Sequence, residues 1–340
     1  AKGAPEAILR QSNLSVAALK HIEEQSLEYA KKGFRVLGVG KGEWSEKKWP
    51  VSQEEFAFEF LGLIAFQDPP KENTAETIRQ FYNAGIQLKI ITGDYAETAM
   101  AIAGQIKLKN DGQVLLGKDI LQLSTIELQG KVKDVNIYAR MFPEAKMKVI
   151  NALKDNGEIV AMTGDGVNDA PALKAAHIGI AMGKRGSEVA RSAASLILVD
   201  DDLSHMIDAV AIGRKICDNL KKAIQYIVSI HIPIILIVTL PLLLMWKFTD
   251  IFSPVHVIFL ELIMGPTCSI IYENEPMEPG TMMRPPRKMG ATFLSFKQLL
   301  VSIIQGLVIT AGCLVLGYYY LHEGMDDKTV RAVIFISLLF

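Results

Sequence analysis

The stretch "VAMTGDGVNDAPALKAAHIGIAMG", residues 160–183, decides the fold. An apolar run stops at Asp165, a glycine-flanked turn follows, and a second carboxylate, Asp169, precedes a helix-like segment that opens with Ala170-Pro171. At the end of a strand, Asp165 projects out of the sheet, and Gly164 and Gly166 permit a tight turn that a phosphate can approach closely. Asp169 stands at a helix start, where backbone amides favour an anion. Paired carboxylates with phosphate oxygens beside them suit Mg²⁺. Helix capping is the plainer reading of Asp169, because Asp before Ala-Pro is a good cap. It leaves Asp165 and the two glycines unexplained.

Outward from this turn, strand-like and helix-like segments alternate from about residue 58. "FEFLGLIAFQ", "IQLKIITGD", "VNIYAR", "EIVAMTGD", "IGIAMG" and "SLILVD" read as strands, with amphipathic segments between them. This rhythm predicts an α/β fold: a parallel sheet with helices on both faces. Such sheets place ligands beyond the C-terminal ends of their strands. A second triplet, Thr92-Gly93-Asp94, ends another apolar strand. Thr92 can offer a hydroxyl and an amide to a phosphoryl oxygen, although the triplet alone also reads as a simple turn. Lys146, at the start of a helix after a strand, can neutralise developing phosphoryl charge. A solvated helix lysine is the ordinary alternative. Residues 1–57 differ: a helical stretch, the strand "FRVLGVG" and the polar loop "EWSEKKWPVSQEE" resemble the tail of another domain.

Half of the 340 residues are hydrophobic and mean hydropathy is +0.24, high for an ordinary soluble protein. The charge sits in residues 1–222, and long apolar runs dominate the remainder. Residues 223–246 contain no Asp, Glu, Lys or Arg, and a spanning helix needs roughly 20 apolar residues. Further spans are expected at about 254–272, 299–321 and 330–340, the last cut off at Phe340. Arg214, Lys215, Lys221 and Lys222 precede the first span, and Arg284, Arg287, Lys288 and Lys297 lie between the second and third. The excess of basic residues places both segments, and with them residues 1–222, in the cytoplasm. The net charge of −1 argues against a nucleic-acid partner. The three isolated cysteines, Cys217, Cys268 and Cys313, form neither a disulfide framework nor a zinc motif.

"KGAPE" at 2–6, "DPP" at 68–70, "TGD" at 92–94, "PEAKMK" at 143–148, "TGDGVNDAPALKAAHIGIAMG" at 163–183 and "RPPR" at 284–287 occur in the order and spacing of one family. The chain resembles the P-type cation ATPases, most closely their calcium-pump-like branch. The resemblance implies three regions: the end of an α+β nucleotide-binding domain over 1–67, a phosphorylation domain of haloacid-dehalogenase fold over 68–216, and an α-helical transmembrane domain over 217–340. It implies ATP and Mg²⁺ as cofactors, and an inorganic cation and the lipid bilayer as partners. Carried over, Lys2 and Gly3 would line the adenine pocket, Arg35 would approach the nucleotide phosphates, and Arg140 would contact the nucleotide. Asp68 with its two prolines resembles the hinge between the two soluble domains. Thr92, Gly93 and Asp94 would meet the phosphoryl group and nucleotide, Lys146 would steady an aspartyl phosphate, Asp165 would bind Mg²⁺, and Asn168 and Asp169 would support that site.

The departures carry information too. The family's nucleophile is the Asp of "DKTG" and its actuator carries "TGE"; neither motif occurs here. Both precede "KGAPE" in the family, so the resemblance implies a partner in the N-terminal half of the same pump, and no phosphoenzyme from these residues alone. Both ends of the chain read as truncations.

An ionisable residue inside a membrane segment is a candidate functional residue. Glu261 is the one carboxylate in the second span. Gly265-Pro266 follows it as an expected helix break that frees carbonyls. Ser229, His231, Thr267 and Cys268 add polar atoms, and Pro233 and Pro241 are expected to kink the first span. Thus Glu261, His231, Ser229 and Thr267 are the candidate transport ligands. A neutral, hydrogen-bonded Glu261 is the structural alternative. Calcium pumps carry an Asn and a Glu, then an Asn, a Thr and an Asp, where this chain has His231, Ile234, Glu261, Met264 and Gly265. Most calcium-type oxygens are replaced, so calcium is only a default, and a titrating histidine admits proton transport or countertransport. Two other readings are weighed: a membrane-anchored phosphatase of the same catalytic fold, which lacks the necessary "DxDxT"-like strand, and a non-catalytic membrane protein that binds nucleotide.

Overall fold

The protein was analysed as a computed structural model, which describes residues 1–44, 56–246 and 251–339. From residue 45 onward, the polar loop read over 43–55 lies outside the described residues, as does Phe340 at the end of the fourth expected span. The chain divides into two compact units, Ala1–Asp208 with Met282–Met289, and Ala209–Thr281 with Gly290–Phe340.

The first unit begins with β1 (Lys2–Gly3), α1 (Pro5–Arg10), α2 (Val16–Lys31), β2 (Arg35–Lys41) and β3 (Glu59–Phe66). These strands form an antiparallel sheet of order β1-β2-β3. "FEFLGLIAFQ" therefore forms a strand, as its apolar run predicts, but one that pairs backward onto β2 instead of entering the parallel fold. The register runs from Arg35 opposite Phe66 to Lys41 opposite Glu59, with a shift at Val39/Gly40.

The α/β part continues with α3 (Thr74–Asn83), β4 (Ile90–Ile91), α4 (Ala96–Gln105), β5 (Val114–Leu116), α5 (Gly117–Gln122), α6 (Thr125–Asp134), β6 (Ile137–Ala139) and α7 (Pro143–Asp155). It closes with β7 (Ala161–Gly164), α8 (Ala170–Ala175), β8 (Ile178–Met182), α9 (Glu188–Ala193) and β9 (Leu196–Leu198). Local signals explain the boundaries. Ser124 and Glu127 cap α6 reciprocally, Pro143 opens α7 where its missing N–H costs nothing, and Gly157 ends α7 in the left-handed conformation, φ 80°.

All pairings in this part are parallel, but the described strands form two sheets, β4-β6-β5 and β7-β8-β9, instead of the single sheet expected. The division has a physical basis: among the described residues β4 pairs only with β6, and β7 only with β8. The two sheets nevertheless share packing. Ile91 of β4 lies against both the cluster of Leu128, Val132, Tyr138 and Val149 and the cluster of Ile150, Met162 and Leu173. Helix α7 supplies Val149 to one cluster and Ile150 to the other.

The second unit is helical. Helix α10 (Ser204–Leu243) extends well upstream of the apolar stretch; its first residues, to Asp208, belong to the first unit. It is followed by α11 (Pro254–Asn274), α12 (Phe296–His322) and α13 (Asp327–Leu339). Helices α10, α11 and α12 are long and apolar enough to cross a membrane. The expected break at Gly265-Pro266 is not observed: α11 runs through Pro266, and α10 through Pro233 and Pro241. A proline inside a continuous helix still removes one N–H, leaving the carbonyl four residues earlier without its helical donor. The core of this unit comprises Ile237, Ile251, Leu260, Val330 and Ile334, all nearly inaccessible.

Candidate functional site

The C-terminal ends of β4 and β7 carry the phosphate-type loops. After β4, the Asp94 amide donates to Thr92 Oγ1 at 3.1 Å, and Thr92 Oγ1 donates to Asp94 Oδ2 at 3.2 Å. This closes a side-chain turn of the kind that Thr and Asp favour. The backbone anchors it: Met141 N donates to Thr92 O and Arg140 N to Asp94 O. Gly93 is exposed, and its open face leaves the turn accessible.

After β7, Asp165 is exposed and its carbonyl accepts from Ser187 N at 2.8 Å. Asn168 is exposed as well. Asp169 is different. It is buried, its Oδ2 accepts from Gly166 N at 3.1 Å, and its Oδ1 lies 2.5 Å from Lys146 Nζ. The side chains of this ion pair are only 11% and 12% exposed. Gly164 makes the arrangement possible: a Cβ there would sit 2.6 Å from Asp169 Cβ. Asp169 is thus spent on the turn and on Lys146. It makes no side-chain cap for α8.

This leaves Asp165 as the carboxylate with open oxygens at the sheet end. Among the described residues no group of three or more His, Cys, Asp or Glu gathers as a metal cage. One exposed carboxylate beside a phosphate-type loop fits Mg²⁺, which commonly takes one or two carboxylates and fills its shell with phosphate oxygens and water. It does not fit a structural metal held wholly by protein.

The nucleotide candidates are brought together in part. Arg35 Nε at the start of β2 lies 3.6 Å from Asp94 Oδ1. Arg140, at φ 52°, pairs with the carboxylate of Glu6, and its guanidinium stacks 3.7 Å from the centroid of the Tyr95 ring. The Tyr95 hydroxyl donates to Glu6. Burial, then the hydrogen bond and charge of Glu6, raise the Tyr95 pKa well above the ordinary phenol range. Lys2 is exposed on β1, and neither it nor Gly3 makes a side-chain contact with this group. Sequence reasoning missed Glu6 and Tyr95 as partners. Both were within reach of it, since Glu6 ends "KGAPE" and Tyr95 follows "TGD" directly.

In the helical unit, His231 Nε2 of α10 lies 3.1 Å from Glu261 Oε1 of α11. His231 Nδ1 is 2.8 Å from Ile227 O. The two contacts fix the ring between its own helix and α11. Ser229 and Thr267 do not join it. Thr267 Oγ1 donates to Ile263 O of its own helix at 2.6 Å, and Ser229 faces Gln305 of α12, 3.3 Å away.

Two family models match the chain. Residues 4–177 match the haloacid dehalogenase-like hydrolases, and residues 249–340 match the C-terminal region of cation-transporting ATPases. The chain is 35% identical over 298 residues to calcium-transporting ATPase 1 of Lactococcus lactis, covering 87% of this chain and 34% of that protein. It is 33% identical over 350 residues to calcium-transporting ATPase 1 of Saccharomyces cerevisiae, covering 97% and 36%. Against the human calcium-transporting ATPase type 2C member 1 it is 31% identical over 320 residues, covering 94% and 33%. The α/β unit and its paired loops thus define a haloacid dehalogenase-like hydrolase joined to membrane helices. The chain belongs, more particularly, to the calcium-pump-like branch of the P-type cation-transporting ATPases. It is part of a multi-pass integral membrane protein and spans about a third of the length of these relatives.

Proposed function

We propose that these residues supply the Mg²⁺ and phosphate loops, and part of the ion path, of an ATP-driven cation pump that works through an aspartyl phosphate. The observation that carries the reading is the meeting of the buried Lys146–Asp169 pair and exposed Asp165 at the end of β7, an edge strand. In this reading residues 1–67 end the nucleotide-binding domain, 68–216 form the phosphorylation domain, and 217–340 belong to the transmembrane domain. The nucleophilic aspartate comes from a strand outside these residues. Among the described residues β4 and β7 are edge strands and Ile91 packs on both cores, which supports an insertion between them that makes one sheet of two.

Each side chain then has a task. Bound Mg²⁺ would draw charge from the transferring phosphoryl group. Asp165 would hold it, with Asn168 beside the turn. Lys146, fixed by Asp169, would present an ammonium to the phosphoryl oxygens. The Thr92 hydroxyl and the Gly93 amide would bind those oxygens, and Arg35 and Arg140 would meet the nucleotide phosphates.

In the membrane unit, the contact between Glu261 and His231 across α10 and α11 supports these two residues as the place where the cation binds. Calcium transport by the relatives stands as the first candidate, although His231 and Ile234 replace the oxygen ligands of a calcium pump.

The deciding experiment uses the full-length protein and labelled ATP. A cation-stimulated, hydroxylamine-sensitive phosphoprotein is expected, and Asp165→Asn should abolish it. Persistence of Mg²⁺-dependent labelling in Asp165→Asn would overturn the site.

A further inference from the structure

Asp165 sits between two glycines, Gly164 and Gly166. Glycine on both sides leaves the backbone here unusually free, yet a metal ligand must be held within about half an ångström of its working place. The pairing of β7 with β8 ends at Gly164, opposite Ala181. Beyond it, the Asp165 carbonyl accepts from Ser187 N at 2.8 Å. The turn is thus steadied from outside, by the loop of residues 183–187 that follows β8.

That loop is itself closely determined. Arg191 Nη1 donates to Gly183 O at 3.0 Å and to Gly186 O at 2.8 Å. A Cβ on Gly183 would lie 2.8 Å from Leu198 O, and one on Gly186 would lie 1.9 Å from Met182 O, so the fit requires both glycines. The two amides between them face one carboxylate. Asp201 Oδ1 accepts from Lys184 N and Oδ2 from Arg185 N, each at 3.0 Å. Successive N–H groups make a concavity for an anion, and here the chain supplies its own. Asp201 reaches it from a left-handed backbone, φ 55°, and Lys71 Nζ donates to its carbonyl at 2.7 Å. Glycine adopts that backbone at least cost. Lys184 and Arg185 are exposed, so water could satisfy their amides. An aspartate here therefore gives up backbone ease for the hold of its carboxylate on the loop.

We propose that Asp201 is a positioning residue for Mg²⁺: its carboxylate sets the 183–187 loop, and Ser187 of that loop aims Asp165. The inference rests on reading Asp165 as the Mg²⁺ ligand. The path runs from the Asp201 oxygens to the Lys184 and Arg185 amides, along the loop backbone to Ser187, and from its N–H to the Asp165 carbonyl. Partners that orient a ligand from behind tune how tightly the metal is held. Asp201 acts in this way through Asp165, and leaves Thr92 and Lys146 where they are.

The test is amide hydrogen exchange in the purified full-length protein, titrated with Mg²⁺ in the presence of beryllium fluoride as a phosphoryl mimic. Mg²⁺ should slow exchange across residues 165–169. Asp201→Gly suits the left-handed backbone, so the turn keeps its shape. This variant should speed exchange at Lys184 and Arg185 and raise the Mg²⁺ midpoint about tenfold, and Asp201→Asn, with one acceptor oxygen left, about threefold. A role confined to the turn would speed the two amides and leave the midpoint unmoved in both variants, and that result overturns the proposal. Absence of Mg²⁺ protection at 165–169 in the parent protein overturns the Mg²⁺ reading of Asp165 itself, and the proposal with it.

Discussion

Lys146 Nζ and Asp169 Oδ1 stand 2.5 Å apart, with both side chains nearly sealed from solvent. The pair links the first turn of α7 to the turn after β7. Removing either charge strands the other in a poorly solvated place. Lys146→Met or Asp169→Asn should each destabilise the protein by about 3 kcal/mol, and the double variant by less than the two together. Thermal unfolding of the four proteins measures this. Additive losses would show that the two charges do not support one another.

Gly164 faces Asp169 so closely that no side chain fits without movement. Gly164→Ala should displace the Asp169 carboxylate and, with it, Lys146. A shift of about an ångström at such a site costs on the order of 100-fold in rate. Phosphorylation by labelled ATP in the full-length protein gives the comparison, and a near-normal rate would disprove the role of this contact.

Arg140 is held by Glu6 and by the Tyr95 ring. If its guanidinium is to meet nucleotide, the Glu6 contact must open. Glu6→Gln should therefore tighten nucleotide binding by about two- to fivefold, the range of a partly exposed ion pair. Fluorescent-nucleotide titration reads the change, and weaker binding would argue that Glu6 helps to build the pocket.

His231 Nε2 lies 3.1 Å from Glu261 Oε1. Cation entry at Glu261 must open this contact. His231→Leu should therefore change the apparent cation affinity, and Glu261→Gln should remove cation stimulation. ATPase assays of the full-length protein over a panel of cations test both. An unaltered affinity in His231→Leu would detach the histidine from the site.

Asp202 caps the entry to α10. Its Oδ1 accepts from the Ser204 amide and hydroxyl, both at 2.9 Å, and Asn73 donates to both oxygens at 3.1 Å. The hydrogen bonds from the Ser204 amide and hydroxyl keep this carboxyl below the usual aspartate range. A lowered folded pKa stabilises above the unfolded value, about 3.9. That contribution is lost as pH falls through the folded value. Asp202→Ala should therefore lower the melting temperature at neutral pH and narrow the gap in strong acid. A gap that widens on acidification would reverse the assignment.

Much of the architecture was legible in local pattern. Apolar runs of strand length, the glycine turns at 93 and 164–166, and the charge-free stretch 223–246 are covalent facts of the chain. They specify elements and solvent preference almost without context. Pairing was less legible. Glu59–Phe66 has the composition of any buried strand, and only the tertiary contact with β2 made it antiparallel. Likewise Pro266 reads as a break, yet α11 continues through it, because an internal proline removes one helical N–H without ending the surrounding ladder.

By itself, then, the sequence determined which residues lie at strand ends, which segments can enter lipid, and that two carboxylates flank one glycine turn. Only the tertiary structure decided how they divide their work. Asp169 is turned inward to Lys146 while Asp165 stays open, Glu6 claims Arg140, and Glu261 finds His231 while Ser229 finds Gln305. The physical reason is range. Strand, helix and lipid preference arise within a few neighbouring residues, whereas an ion pair or a hydrogen bond across elements needs atoms from distant segments within about 3 Å. Only the packed chain places them there.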